Sequence, residues 1–315
     1  MIFPISAAIF YCIGNYAQNY IADNVMPKRH AGAYAVMRIP GFILAMILLY
    51  ALFHRAVFML PLYNAVGLMI AGAVNVIGAV YYYKALQSGD TADISIFGQV
   101  TPIISLALGV IILGEMITSN QAIGFGFIMA ATIYIALTGN RRAKKSKRSK
   151  GSYIVIAMTL ISCFFSVFSD ILYANFLIGT MDYTLLAQSF FYFELGSLVF
   201  TILGYIFFDS WREATKKAFL DGRGHRKHLA YAIGENIVFL VAEVLYKLGL
   251  LLAPVKSLMS VVGRVASLFT SLFITIFFGR VFPKFISAKR PSRKMIARYL
   301  IAAVVIVVGM VIMNT

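Results

Sequence analysis

The chain has 315 residues, 61% of them hydrophobic and only 13% charged, with a formal net charge of +16. Soluble chains are about a quarter charged, so this one carries too much apolar surface for a water-soluble core and must place it in lipid. Long continuous apolar runs also exclude a β-barrel, whose strands would be about ten residues long and alternating.

A helical span of the hydrocarbon layer takes about 20 apolar residues. Ten such stretches are predicted, at 1–22, 31–53, 62–87, 92–114, 119–138, 153–178, 184–208, 230–253, 255–279 and 297–314. The expected fold class is therefore an all-α polytopic membrane protein. Met1 to Ala22 lacks a basic start and a small-residue cleavage site, so it reads as the first span rather than a targeting signal. Cys12 and Cys163 fall inside apolar stretches and read as small packing residues, not as a disulfide or metal pair.

Basic residues are concentrated between the spans. Arg141 to Lys150 link the fifth and sixth, Arg212 to Lys227 the seventh and eighth, and Arg280 to Arg298 the ninth and tenth. Arg55 and Lys256 stand on the opposite side. The positive-inside bias then puts the three basic loops in the cytoplasm and, by parity, both termini outward. These runs lack aromatic interleaving, so topology and contact with lipid headgroups explain them, and nucleic acid is not an expected partner.

The chain repeats internally. Tyr83-Lys84, Gly98-Gln99-Val100 and Gly114-Glu115 recur about 165 residues later as Tyr246-Lys247, Gly263-Arg264-Val265 and Gly279-Arg280. Each half holds five spans, and an odd number forces the second copy into the membrane upside down. The ten transmembrane helices are thus expected as two inverted five-helix repeats around a central cavity near the bilayer midplane.

Tyr83-Lys84-Ala85-Leu86, Thr101-Pro102, Leu113-Gly114-Glu115 and the stretch Gln121 to Gly124, together with Arg38, resemble the EamA-type repeat of the drug/metabolite transporter superfamily. The resemblance implies a first EamA-like repeat over 1–138, a basic linker at 139–152 and a second five-helix repeat over 153–315. It departs from the family in the second half, where Ser267 stands in place of Pro102 and Arg280 in place of Glu115. A ten-helix secondary carrier of small metabolites with no covalent cofactor is what it implies.

Charges within spans cost about 2.5 to 3.5 kcal/mol each on insertion scales, so each needs a partner or a wet cavity. Asp170, Glu194, Glu235, Glu243, Lys247 and Arg264 lie well inside, with Arg38 and Lys84 nearer helix ends. Arg264 reads either as an anion clamp, using its planar fork, or as half of an ion pair with Glu194, Glu235 or Glu243. Glu243 and Lys247 are four apart, acid first, and are expected to pair along their own helix. Superposing the halves sets Glu194 almost opposite Arg38, a candidate cross-repeat pair, and Asp170 on Gln18, both of them candidates to line the cavity. Arg264, Lys247, Asn15, Asn75 and Tyr82 are the candidate substrate contacts. Glu243, Glu194 and Asp170 are the candidate proton-coupling acids. For Asn15, Asn75 and Tyr82 the competing role is stitching helices together. Several glycines, among them Gly72, Gly78 and Gly126, suit close helix approach.

No phosphate-binding glycine loop, Gly-x-Ser-x-Gly elbow or His-Glu-x-x-His helix occurs, so neither an enzyme nor a metal site is expected. The function expected is secondary transport of small polar or amphiphilic metabolites by alternating access, without a cofactor. A flippase for a lipid-linked solute and a membrane enzyme or accessory subunit acting on lipid headgroups are the alternatives. The expected partners are the solute and membrane lipid, and the sequence leaves a homodimer open.

Overall fold

The computed structural model describes residues 2–24, 31–88, 94, 98–139, 151–177, 182–219, 225–252, 262–263, 266–267, 270, 273–274 and 293–314. Among the described residues the chain is helical, with no strand. The helices are α1 (Ile2–Asn24), α2 (Gly32–Met37), α3 (Ile39–Phe53), α4 (Leu62–Ser88), α5 (Thr101–Leu113), α6 (Ser119–Gly139), α7 (Gly151–Phe176), α8 (Tyr183–Phe207), α9 (Asp209–Phe219), α10 (His225–Leu252) and α11 (Arg293–Asn314). Four helical stretches among the described residues are long and apolar enough to cross a membrane: Gly32–Phe58, Leu62–Ser88, Tyr153–Phe176 and Tyr183–Phe207.

Many large apolar side chains point outward along these helices, Leu52 at 72% exposed and Ile111 at 77% among them. In water such a surface would drive aggregation. Hydrocarbon removes that penalty, which is why a helix can be apolar on both faces here.

α4 runs through the middle, packed on α7 and α8. With no hydrophobic drive between helices in lipid, close approach and interhelical hydrogen bonds must hold them together. Gly72 and Gly196 make that approach possible. A Cβ at Gly72 would lie 1.9 Å from the Phe193 carbonyl oxygen, and one at Gly196 2.0 Å from that of Met69. Serines then bridge the gap: Ser197 Oγ donates to Gly72 O at 3.0 Å, Ser169 Oγ to Ala71 O at 2.8 Å and Ser162 Oγ to Gly78 O at 2.9 Å. Gly126, by contrast, would place an added Cβ within 4 Å of no other described atom and marks no close crossing among the described residues.

The second expected span, helical from Gly32 to Phe58, is interrupted by a single turn residue. Pro40 has no N–H and cannot continue the ladder, so the chain turns at Arg38 between α2 and α3. The carbonyl of Met37 at the break accepts from Asn236 Nδ2 of α10 at 3.0 Å. The fourth expected span is shorter than anticipated in its described part. A 3₁₀ turn at Gly98–Val100 leads into α5, whose 13 residues begin with Pro102 in the first turn and end at Gly114 with φ +64°. A left-handed residue stops a helix, and glycine adopts it without penalty.

The basic connector after α8 also differs from a plain loop. Asp209–Phe219 forms the amphipathic α9, which seats Trp211 against Gly32 and Gly204 and buries Ala214, while Arg212, paired with Asp209, stays outside. α10 starts at His225, five residues before the expected start at 230. Of the ninth expected span, 255–279, only seven residues are described, and Arg264 lies outside them.

Candidate functional site

The break at Arg38 turns its guanidinium into the bundle, over the rings of Phe42 and Phe239 at 5.4 and 5.7 Å. There it lies in the field of Glu194, Glu235 and Glu243 from α8 and α10. Arg38, Glu194, Asn236 and Glu243 line a cavity of about 10 Å³, room for about one water. Glu194 is buried at 4% exposure, so the carboxylate has left water almost completely. The strongest favourable charge acting on it is that of Arg38.

Glu235 belongs to a hydrogen-bonded cluster beside this cavity. Gln18 Nε2 donates to Tyr34 Oη at 2.6 Å and to Glu235 Oε1 at 3.1 Å, and Tyr34 Oη donates to the same oxygen at 2.8 Å. The Tyr34 ring stacks on Tyr83, centroids 3.4 Å apart. The other oxygen of Glu235 is buried with no hydrogen-bond partner among the described residues. A polar atom in that state raises the energy of the closed packing.

One turn beyond the cavity-lining Glu243 on α10 stands Lys247, 1% exposed. The expected pairing with Glu243 along α10 is not what forms. Lys247 Nζ donates to Asp170 Oδ1 on α7 at 2.6 Å. The spacing of four residues makes two side chains neighbours on a helix surface, but a buried lysine goes where packing leads it. Here Tyr173, Phe193 and Tyr246 surround the ammonium, with ring centroids 4.4, 4.5 and 5.8 Å from Nζ. Glu243 instead meets the hydroxyl of Tyr11 from α1.

The structure thus brings Arg38, Glu194 and Glu243 together at one cavity and Asp170 and Lys247 into one pair. Gln18 bonds to Glu235 and Asp170 to Lys247, and neither Gln18 nor Asp170 lines the cavity. Asn15 and Asn75 are half-buried on α1 and α4, and Tyr82 stands edge-on to Tyr83 at 6.3 Å. None of these three lines the cavity. Reading the sequence missed Tyr11, Tyr34, Tyr173, Phe193 and Asn236. Two carried a usable signal: Tyr34 is one helical turn before Arg38, and Tyr173 is three residues after Asp170 on the same helix face.

A helical membrane protein that buries or half-buries Arg38, Asp170, Glu194, Glu235, Glu243 and Lys247, three of them lining one cavity, has the makings of a solute path rather than a passive anchor. Comparison with known proteins makes this specific. Residues 3–137 match the model of the EamA-like transporter family, a family of membrane transporters rather than of enzymes. An uncharacterised protein of Methanocaldococcus jannaschii is 26% identical over 138 residues, which cover 44% of this chain and 96% of that protein. A solved crystal structure that is 14% identical in sequence has a TM-score of 0.64, covering 98% of this chain and 94% of its own. At that identity the likeness concerns the fold alone.

Proposed function

We propose that the protein is a secondary transporter that moves small polar or amphiphilic solutes by alternating access of two inverted five-helix halves. The observation that carries this reading is the cavity ringed by Arg38, Glu194 and Glu243, a charged site deep in a bundle whose outside is apolar. In ten-span order, α4 and α7 are the third and sixth spans, α10 and α1 the eighth and first. Exchanging the halves turns the close pair α4·α7 into the close pair α10·α1. It turns the pairs α3·α8 and α6·α11 into themselves, and both are in contact. A relative about as long as one half adds to the case for 1–138 and 153–315 as units. Rocking such halves would open the cavity to each side in turn.

Glu194 and Glu243 are the proton-coupling acids of this proposal. They meet across one cavity beside a single guanidinium, so protonating one removes a repulsion between like charges and frees Arg38 for the other. The basic loops lie in the cytoplasm and the termini outside. Reconstitution into liposomes with an imposed proton gradient tests the function. A screen of amino acids, nucleobases, sugars and amines should find a solute that accumulates only with the gradient present. A protein that turns over a lipid headgroup without a gradient, and moves none of these solutes, would be an enzyme instead.

A further inference from the structure

The surroundings of Lys247 have the composition of a recognition site for an ammonium group. A carboxylate, Asp170 Oδ1, lies 2.6 Å from the nitrogen, and the faces of Tyr173, Phe193 and Tyr246 enclose it. Aromatic faces attract cations through their quadrupole, and the attraction strengthens when water is excluded. The walls are themselves held. Tyr173 is fixed by its hydrogen bond to Ser189 at 2.9 Å and by an edge-on contact with Phe193.

Three features set this apart from an ion pair that merely neutralises two buried charges. Its walls come from α7, α8 and α10, so it exists only while those three helices keep their present arrangement. Its carboxylate is open where its lysine is not: the Asp170 side chain is 28% exposed and that of Lys247 only 1%. It also adjoins the cavity through Glu243, one turn before Lys247 on α10 and electrostatically coupled to both Lys247 and Asp170. Among the described residues the acids in this region, Asp170, Glu194, Glu235 and Glu243, outnumber the bases, Arg38 and Lys247. A further cation entering would lessen that excess, and an anion would add to it.

We infer that the cage of Asp170, Tyr173, Phe193 and Tyr246 is the site for the ammonium group of the transported solute, with Lys247 as a tethered occupant that the solute displaces. The inference rests on the transport reading above for its purpose, but not for its test. It replaces the anion preference expected for Lys247, because the ammonium is committed to Asp170. The empty cage is never exposed: lysine fills it when solute is absent, and solute fills it when lysine leaves. Breaking the pair between α7 and α10 would then be the event that couples binding to helix movement.

Labelling of the unaltered protein tests displacement. Tetramethylammonium chloride, which has no acylable nitrogen, is added to the purified full chain in lipid nanodiscs, followed by brief acetic anhydride and peptide mass spectrometry. Acetylation of Lys247 should rise at least several-fold with tetramethylammonium, while that of the exposed Lys84 stays level. Lys247 labelling that is unchanged or lower overturns the inference. A second measurement reads the cage directly by calorimetry. K247A should bind tetramethylammonium at least tenfold more tightly than the unaltered protein and neopentanol, its neutral isostere, no more tightly. The doubly substituted D170N/K247A protein should lose that gain. Equal binding by K247A and the unaltered protein also overturns the inference, and the labelling arm decides alone if K247A does not fold. A positive labelling response with no gradient-driven flux of any solute would leave the ammonium site standing and remove the transport reading. Flux with neither response would do the reverse.

Discussion

Lys247 reaches from α10 across to Asp170 on α7, nitrogen to oxygen 2.6 Å, and leaves Glu243 of its own helix to Tyr11. Removing one partner of such a pair strands a buried charge. D170N should therefore destabilise the protein by about 3–5 kcal/mol, whereas D170N/K247M, which removes both charges, should recover most of that loss. Thermal unfolding in detergent, followed by the fluorescence of Trp211, measures both. If D170N melted with the unaltered protein, the pair would contribute nothing to the fold.

The crossing of α4 and α8 depends on two glycines whose missing side chains leave room for backbone. Gly72→Ala or Gly196→Ala would drive a methyl group into the Phe193 or Met69 carbonyl, and overpacking of this kind typically costs about 1–3 kcal/mol. Gly234→Ala is the control. Nothing lies within 4 Å of its added carbon, and alanine is favoured over glycine in a helix by about 1 kcal/mol. Melting temperatures should fall for the first two variants and hold or rise for the third.

Coupling is expected to reside in the acids at the cavity. E194Q and E243Q should each lower proton-driven accumulation of the solute by about 5- to 150-fold, the range that a coupling energy of about 1–3 kcal/mol spans. Exchange of labelled for unlabelled solute, with no gradient, should persist. Accumulation equal to that of the unaltered protein in both variants would take the proton role away from this pair.

Orientation in the membrane can be read from the outside. A cysteine placed at 315 should react with a membrane-impermeant maleimide in intact cells, while one at 146, within the basic run, should react only after lysis. Cys12 and Cys163 are buried and add little background. The opposite pattern would invert the topology derived from the loop charges.

How far the sequence could be read depends on what each feature requires. The break at Arg38 was legible in principle, since Pro40 removes a backbone donor wherever the helix is packed. α9 was also legible: Trp211, Ala214 and Thr215 recur three and four residues apart among charged neighbours, although the density of basic residues made the segment look like a loop. The partner of Lys247 was not legible. Spacing along α10 named Glu243 as a neighbour but could not say that Asp170, 77 residues earlier, would stand closer.

Composition by itself determined that this chain belongs in a membrane, because 61% apolar and 13% charged residues leave no other solvent for its surface, and the length of its apolar runs determined that the spans are helices. Local motifs in its first half carried the likeness to the EamA-like transporter family, which matches over residues 3–137. Tertiary structure alone decided which buried charge meets which, since that depends on how each helix is rotated about its axis and how near its neighbour can come. In lipid those two quantities are set by glycine and serine contacts such as Gly72 with Ser197, and a periodic apolar pattern does not encode them.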